Sequence, residues 1–278
     1  MLDILSKAKN AIEAYNTQLR INSSNIANMS VPGYKTMKIS FQTIFERLVN
    51  QGTAAQAEIG GTNPIQLGSS VGIGSTSLDF SQGGVTEGQI LDLAINGSGL
   101  FAVSPDGGKT MLYARAGKFT IDSAGNLTTD NGMQVYGLSG GALMPITGLT
   151  SYNTSRLSWT ADGQLAEFNL KGDGTVDYTS INQYTGYSIA LTAFANPSGL
   201  AQASGNTFAE TPASGAPQSY KLAGDTYGSV IPRNYEQSNV FYTGEIIDSM
   251  EAQRAMSGNL TILRMISDEI TNFINRIS

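Results

Sequence analysis

Apolar residues recur every seven positions through the first thirty residues, at Leu5, Ile12, Leu19 and Ile26. Ala8, Tyr15 and Met29 fill the intermediate seam, and Asn22 interrupts it. A stripe with this period lies along one side of a helix. Pro32-Gly33 stops the pattern, because proline cannot continue the hydrogen-bond ladder and disfavours helical geometry at Val31. The pattern returns at the other end, where Met256, Leu260, Leu263, Ile270, Ile274 and Ile277 follow steps of three, four and seven, with Ser267 at the polar position of the seam. Gly258 costs that helix about 1 kcal/mol relative to alanine. The spacing of Phe41, Ile44, Phe45 and Leu48 predicts a further short helix after the first break.

Between the two amphipathic ends the texture changes. The chain has 278 residues, of which 32 are glycine and only 14% are charged, a composition suited to strands and turns. The pairs Asp106-Gly107, Asn131-Gly132, Asp162-Gly163 and Asp173-Gly174 supply the positive backbone angles that tight hairpins need. Met133 to Tyr136 and Ser188 to Phe194 are apolar runs of strand length. Residues 51 to 70 lack periodicity and read as an extended connector. The expected fold is therefore mixed and mainly β, with N- and C-terminal helices around a middle domain of hairpins. Periodicity is equally consistent with helices that pack on the β core and with helices that pair with each other.

Several chemistries are excluded by residue type. The chain has no cysteine, hence no disulfide, thiolate nucleophile or zinc–cysteine site. It also has no histidine, the commonest general base and transition-metal ligand. A net charge of -6 disfavours attraction to nucleic acid or anionic lipid. The N-terminus has no apolar run of signal-peptide length, and no stretch approaches a membrane span. Asp92, Asp106, Asp122, Asp130, Asp162, Asp173 and Asp177 nearly all stand beside Gly, Asn or Ser, which turn chemistry explains. Gly172 to Asp177 lacks the alternating oxygen ligands and the twelfth-position glutamate of an EF-hand. Gly83-Gly84 and Gly97-Ser98-Gly99 precede no helical pattern, so no phosphate cradle is expected. No Ser-x-x-Lys stands in an activating setting. No catalytic, cofactor-binding or metal-binding residue is expected.

Taken in order, the blocks at residues 25–35, 92–101, 113–127, 194–197 and 238–255 resemble those of the bacterial flagellar rod and hook axial proteins. Asn25-Ile26-Ala27-Asn28 followed by Pro32-Gly33-Tyr34-Lys35 is similar to the family's N-terminal signature. Asp92 to Gly97, continued by Gly99-Leu100-Phe101, is similar to its Asp-x-Ala-Ile-x-Gly-x-Gly-aromatic-Phe block. Tyr113, Arg115, Gly117, Phe119, Asp122, Gly125 and Leu127 follow the next hairpin region in order, and Phe194-Ala195-Asn196-Pro197 a later one. Near the end Ser238-Asn239-Val240 precedes Gln253-Arg254-Ala255, as in the family's C-terminal helix. Two departures stand out: Met256 follows Gln-Arg-Ala where the family commonly has an aromatic, and Phe241 follows Ser-Asn-Val where an acidic residue is frequent.

The resemblance implies a structural subunit, not an enzyme. Its terminal helices (1–45 and 235–278) would pair as an inner coiled-coil tube, joined through a connector (46–70) to a β-rich outer domain (71–234). Leu5, Ile12, Leu19, Ile26, Met256, Leu260, Leu263, Ile270, Ile274 and Ile277 are then the assembly interface. The implied partners are further copies, adjacent rod, hook or junction proteins, and ring proteins acting as a bushing. The implied location is the flagellar basal body, from periplasm to cell exterior, reached without a cleaved signal peptide. Total length and the Gly60-Gly61-Thr62-Asn63-Pro64 connector resemble distal-rod proteins, with hook and proximal-rod subunits as alternatives. More distant alternatives are a secreted coiled-coil adhesin and a carbohydrate-active β protein that works with carboxylates alone.

Overall fold

The computed structural model describes residues 2–50, 61 and 65–277. Helix α1 (Leu2–Ala27) and helix α2 (Tyr242–Ile277) occupy the two heptad-bearing ends. Between them run β1 (Met37–Asn50), β2 (Ile65–Leu78), β3 (Val85–Glu87), β4 (Leu93–Asn96), β5 (Leu100–Ser104) and β6 (Leu112–Ala114). There follow β7 (Phe119–Ile121), β8 (Leu127–Thr129), β9 (Gln134–Ser139), β10 (Ala142–Pro145), β11 (Leu157–Trp159) and β12 (Gln164–Leu170). The last strands are β13 (Val176–Ile189), β14 (Leu191–Thr192), β15 (Ala201–Ala203), β16 (Thr207–Ala209), β17 (Ser229–Pro232) and β18 (Asn234–Glu236). The fold is mainly β with a helix at each end. No helix among the described residues is long and apolar enough to cross a membrane.

Two compact units emerge. One comprises Met1–Ile26, Met37–Thr76 and Phe241–Ser278; the other comprises Ala27–Thr36 and Ser77–Val240.

In the β unit, antiparallel pairing gives the order β11-β12-β13-β9-β5-β6-β16-β15, with β10, β14 and the β7–β8 hairpin attached to its middle. The glycines of the four predicted turn pairs, Gly107, Gly132, Gly163 and Gly174, all have φ between 71° and 83°, where a side chain is strained. The apolar run from Met133 to Tyr136 leads into β9, and the one at Ser188 spans the end of β13 and β14. The unit's two chain ends are tied together by β3 pairing with β18 and β4 with β17.

One core gathers the inward faces, with Leu93, Phe101, Val103, Phe119, Leu127 and Trp159 among its buried members. Phe119 is its aromatic centre: its ring meets Phe101 edge-on at 5.2 Å and Trp159 at 6.4 Å. The indole Nε1–H donates to the Leu91 carbonyl at 2.8 Å, so burying the ring leaves no unsatisfied donor.

The helical unit differs from the sequence reading in three respects. The Phe41 to Leu48 segment is part of a strand, β1, not a helix. Met37, Ile39 and Phe41 alternate with Lys38, Ser40 and Gln42, so a period of two is present beside the helical spacing, and aromatic and β-branched residues favour the strand. The expected connector lies partly on β1 and β2, while residues 51–60 and 62–64 are outside the described residues. The most buried line of α1 runs through Ala8, Ala11, Ala14, Ile21, Asn22 and Asn25; Leu5, Ile12, Leu19 and Ile26 flank it and are half-buried. Small alanines permit close approach of a neighbouring element, and the Phe41 ring lies 5.7 Å from that of Tyr15 on α1.

Phe119→Ala removes the ring shared by Phe101 and Trp159. A loss of about 3–5 kcal/mol is expected, measured by urea unfolding followed through the single tryptophan.

Candidate assembly site and family membership

The least expected feature of the β unit is a buried charge cluster. Glu236, at the end of β18, has a fully buried carboxylate. Its Oε1 accepts from Lys35 Nζ at 2.7 Å and from the Gly83 N–H at 2.8 Å, and its Oε2 accepts from Arg115 Nε. Two cations thus meet one anion. The excess positive charge is spread over backbone carbonyls: Lys35 also donates to Ser81 O, and the Arg115 guanidinium donates to Gly99 O and Ile95 O. Burial lowers the Lys35 ammonium below its ordinary value, and the hydrogen bond and charge of Glu236 oppose that shift. Residues distant in sequence are thereby fixed to one carboxylate, and a cluster of this kind is held together only while every member is satisfied.

Two of the motif asparagines act as substitutes for peptide groups. The Asn239 Oδ1 accepts from both the N–H and the hydroxyl of Thr36 at 2.8 Å, while its Nδ2 donates to the carbonyls of Asp79 and Ser81. This one side chain closes the end of the β1–β2 pair, where the Asp79 N–H also donates to the Thr36 carbonyl at 2.9 Å. Asn25 likewise stands in for a peptide group in the helical unit: its Oδ1 accepts from the Met37 N–H at 3.0 Å and its Nδ2 donates to Met37 O at 2.9 Å. An amide carries one donor edge and one acceptor edge like a peptide, so asparagine suits both places.

The remaining motif positions divide by role. Gly33 has φ 66°, and a Cβ there would stand 2.3 Å from the Ala116 nitrogen, so only glycine fits. Its N–H donates to the Glu236 carbonyl at 2.8 Å, and Tyr34 beside it is buried. Gly97 has φ 144°, and a Cβ would lie 2.6 Å from Gly228 Cα. Asp92 is buried and accepts from the Gln89 N–H at 2.8 Å; burial pushes its carboxyl up. The Asn28 carbonyl accepts from Val31 N–H as the chain leaves α1, and the Ser238 hydroxyl accepts from Val240 N–H. Gln253 and Arg254 are exposed on α2 beside the buried Ala252.

Polar contacts join the helices among the described residues. Asn22 on α1 is hydrogen-bonded to Ser249 on α2 at 3.2 Å, and Asn25 Nδ2 donates to Glu245 Oε1 at 3.1 Å. Numbering rises along α1 as it falls along α2, so the helices run antiparallel here. Of the expected seam on α2, Met256, Leu263 and Ile270 are half-buried, while Leu260 and Ile274 are exposed.

The exposed aspartates carry no chemistry beyond turns. Thr110, Asn126, Thr175 and Thr179 donate side-chain and backbone hydrogen bonds to Asp106, Asp122, Asp173 and Asp177 respectively, which hold these carboxyls below their ordinary range. Among the described residues no group of three or more acidic side chains is placed to hold a metal ion.

Glu236→Gln leaves two buried cations without an anion and is expected to cost about 3–5 kcal/mol in urea unfolding. Lys35→Met keeps the Glu236–Arg115 pair and is expected to cost clearly less. Equal losses would contradict the central place given to the carboxylate.

Comparison with known proteins agrees with this anatomy. The family described as flagella basal body rod protein matches residues 7–35, and the flagellar hook protein FlgE/F/G D1 domain matches residues 94–178. The chain is 31% identical over 272 residues to the flagellar basal-body rod protein FlgG of Bacillus subtilis, covering 97% of both chains. It is 30% identical to that of Agrobacterium fabrum, covering 98% of both. Against the flagellar hook protein FlgE of Helicobacter mustelae it is 36% identical over 139 residues, 49% of this chain and 31% of the hook protein. The chain belongs to the family of flagellar rod and hook proteins.

Proposed function

We propose that this chain is a structural subunit of the distal rod of the bacterial flagellum, assembling with copies of itself into a hollow axial tube. The observation that carries this reading is coverage. Rod proteins match nearly end to end in both directions, whereas the Helicobacter mustelae hook protein matches half of this chain and under a third of its own length. A hook subunit with an additional outer domain would leave that asymmetry, and a rod subunit of similar length would not. Its role is structural and not enzymatic.

The interface would be formed by the terminal helices. Leu5, Ile12, Leu19 and Ile26 on α1, with Met256, Leu260, Leu263, Ile270, Ile274 and Ile277 on α2, are the proposed contacts within the tube. Burying one such side chain contributes about 1.5–3 kcal/mol, and the half-buried and exposed members have that contribution still to gain from neighbouring copies. The β unit would form the outer layer, facing adjacent rod, hook or junction proteins and the ring proteins around the rod. Export would proceed through the growing axis without a cleaved signal peptide.

Electron microscopy of basal bodies from a strain lacking this gene tests the assignment. A truncated rod with no hook is expected. Complete rods without hooks would instead make the chain a hook subunit, and intact flagella would overturn the reading.

A further inference from the structure

The β unit holds three arginines, and two of them meet a carboxylate. Arg115 is paired with Glu236, and Arg156 with Glu167 at 2.6 Å. Arg233, between β17 and β18, has no anion. Among the described residues its guanidinium makes no hydrogen bond or ion pair, and its one partner is the Tyr178 ring on β13, with the guanidinium carbon 4.1 Å from the ring centre.

The backbone at this residue is strained as well. Arg233 has φ 58°, a left-handed conformation that it shares with one other described non-glycine residue, Asn206. Glycine and asparagine adopt that region readily, and arginine does so at a cost. The bend itself is held by main-chain bonds: the Arg233 N–H donates to Asp92 O and its carbonyl accepts from the Gly88 N–H, both at 2.8 Å. Glycine would make the same bonds without strain, so the bend gives no reason for arginine. Strained residues of this kind collect at ligand clamps.

The guanidinium stands at the wall of a cavity of about 330 Å³ within the β unit. Trp159, Phe168, Tyr178, Ile181 and Pro232 supply apolar walls, and no acidic side chain lines it among the described residues. Phe168 is buried and meets Tyr178 edge-on at 5.6 Å, which fixes the ring on which Arg233 rests. Small-molecule sites are commonly of this form, with apolar walls and a few placed polar groups. Here the polar group is a planar cation held by stacking, whose forked donors match the two oxygens of a carboxylate.

We propose that this cavity binds a small monocarboxylate with an apolar body, its carboxylate paired with Arg233 and its body against Phe168, Ile181 and Pro232. The site goes beyond the assembly reading and does not depend on it.

Trp159 is the only tryptophan of the chain and lines the cavity, so its emission reports on the site. Cyclohexanecarboxylate is titrated into the full-length protein, with cyclohexanecarboxamide as the neutral isostere. A saturable change in the millimolar range is expected with the carboxylate, and binding about tenfold weaker or worse with the amide, because the charge-assisted bonds are lost. Arg233→Gly and Arg233→Asn both suit the left-handed backbone. They are expected to stay folded in urea unfolding and to weaken carboxylate binding by about tenfold or more. Saturation-transfer NMR of the ligand gives the same comparison without relying on tryptophan. Arg233→Lys keeps the charge without the fork and is expected to fall between. No saturable response, equal affinity for the amide, or unchanged affinity in Arg233→Gly overturns the proposal. A large loss of stability in both Arg233→Gly and Arg233→Asn overturns it too, by making the arginine a structural residue.

Discussion

A single carboxylate, that of Glu236, holds the β unit's chain ends in place. It sits where β18 returns beside β3, and it draws Lys35 from the segment after α1 and Arg115 from the turn after β6 onto the same two oxygens. Removing ions from water is costly, and the cluster is tolerable only because each cation also finds backbone carbonyls. Asn239 adds a second tie three residues later, joining Thr36 to Asp79 and Ser81. The β3–β18 and β4–β17 pairings follow the same lines. The entry and exit of the chain are thus bound by directional polar contacts, which fix position more sharply than apolar packing does.

The helical unit is built on a different balance. Its buried line on α1 is mostly alanine and asparagine, residues that contribute little burial but permit close approach and specific hydrogen bonds. Apart from Ile21 and Ile266, its described large apolar residues are half-buried or exposed, Phe273 and Ile274 among them. Helices gain most of their stability from the face they bury, and α1 and α2 bury few large side chains where the β unit buries many. The polar pairs Asn22–Ser249 and Asn25–Glu245 contribute register more than strength.

The parts of this architecture written in local chemistry were legible from residues alone. Heptad spacing located both helices, and Asp-Gly and Asn-Gly pairs located hairpin turns. Phe41 to Leu48 was misleading because the strand period shows only in the residues before it, Met37 to Gln42, and the partner that makes β1 a strand, β2, lies beyond residue 64. The buried line of α1 was hidden for a similar reason: leucine and isoleucine dominate any apolar pattern, while alanines that are actually innermost weigh little. Glu236 left no local signal at all. It is a lone glutamate between Tyr235 and Gln237, and its partners lie 201 and 121 residues away. Lys35 and Asn239 were visible only as parts of a family signature, without the contacts that explain them.

Hydrogen exchange on the soluble monomer tests most directly the proposal that the β unit is stable by itself while the terminal helices become ordered on assembly. Strong protection is predicted in β5, β9 and β12, with weak protection over residues 5–26 and 246–276 that rises on assembly. Helix amides in the monomer as well protected as those of β5 and β9 would contradict it.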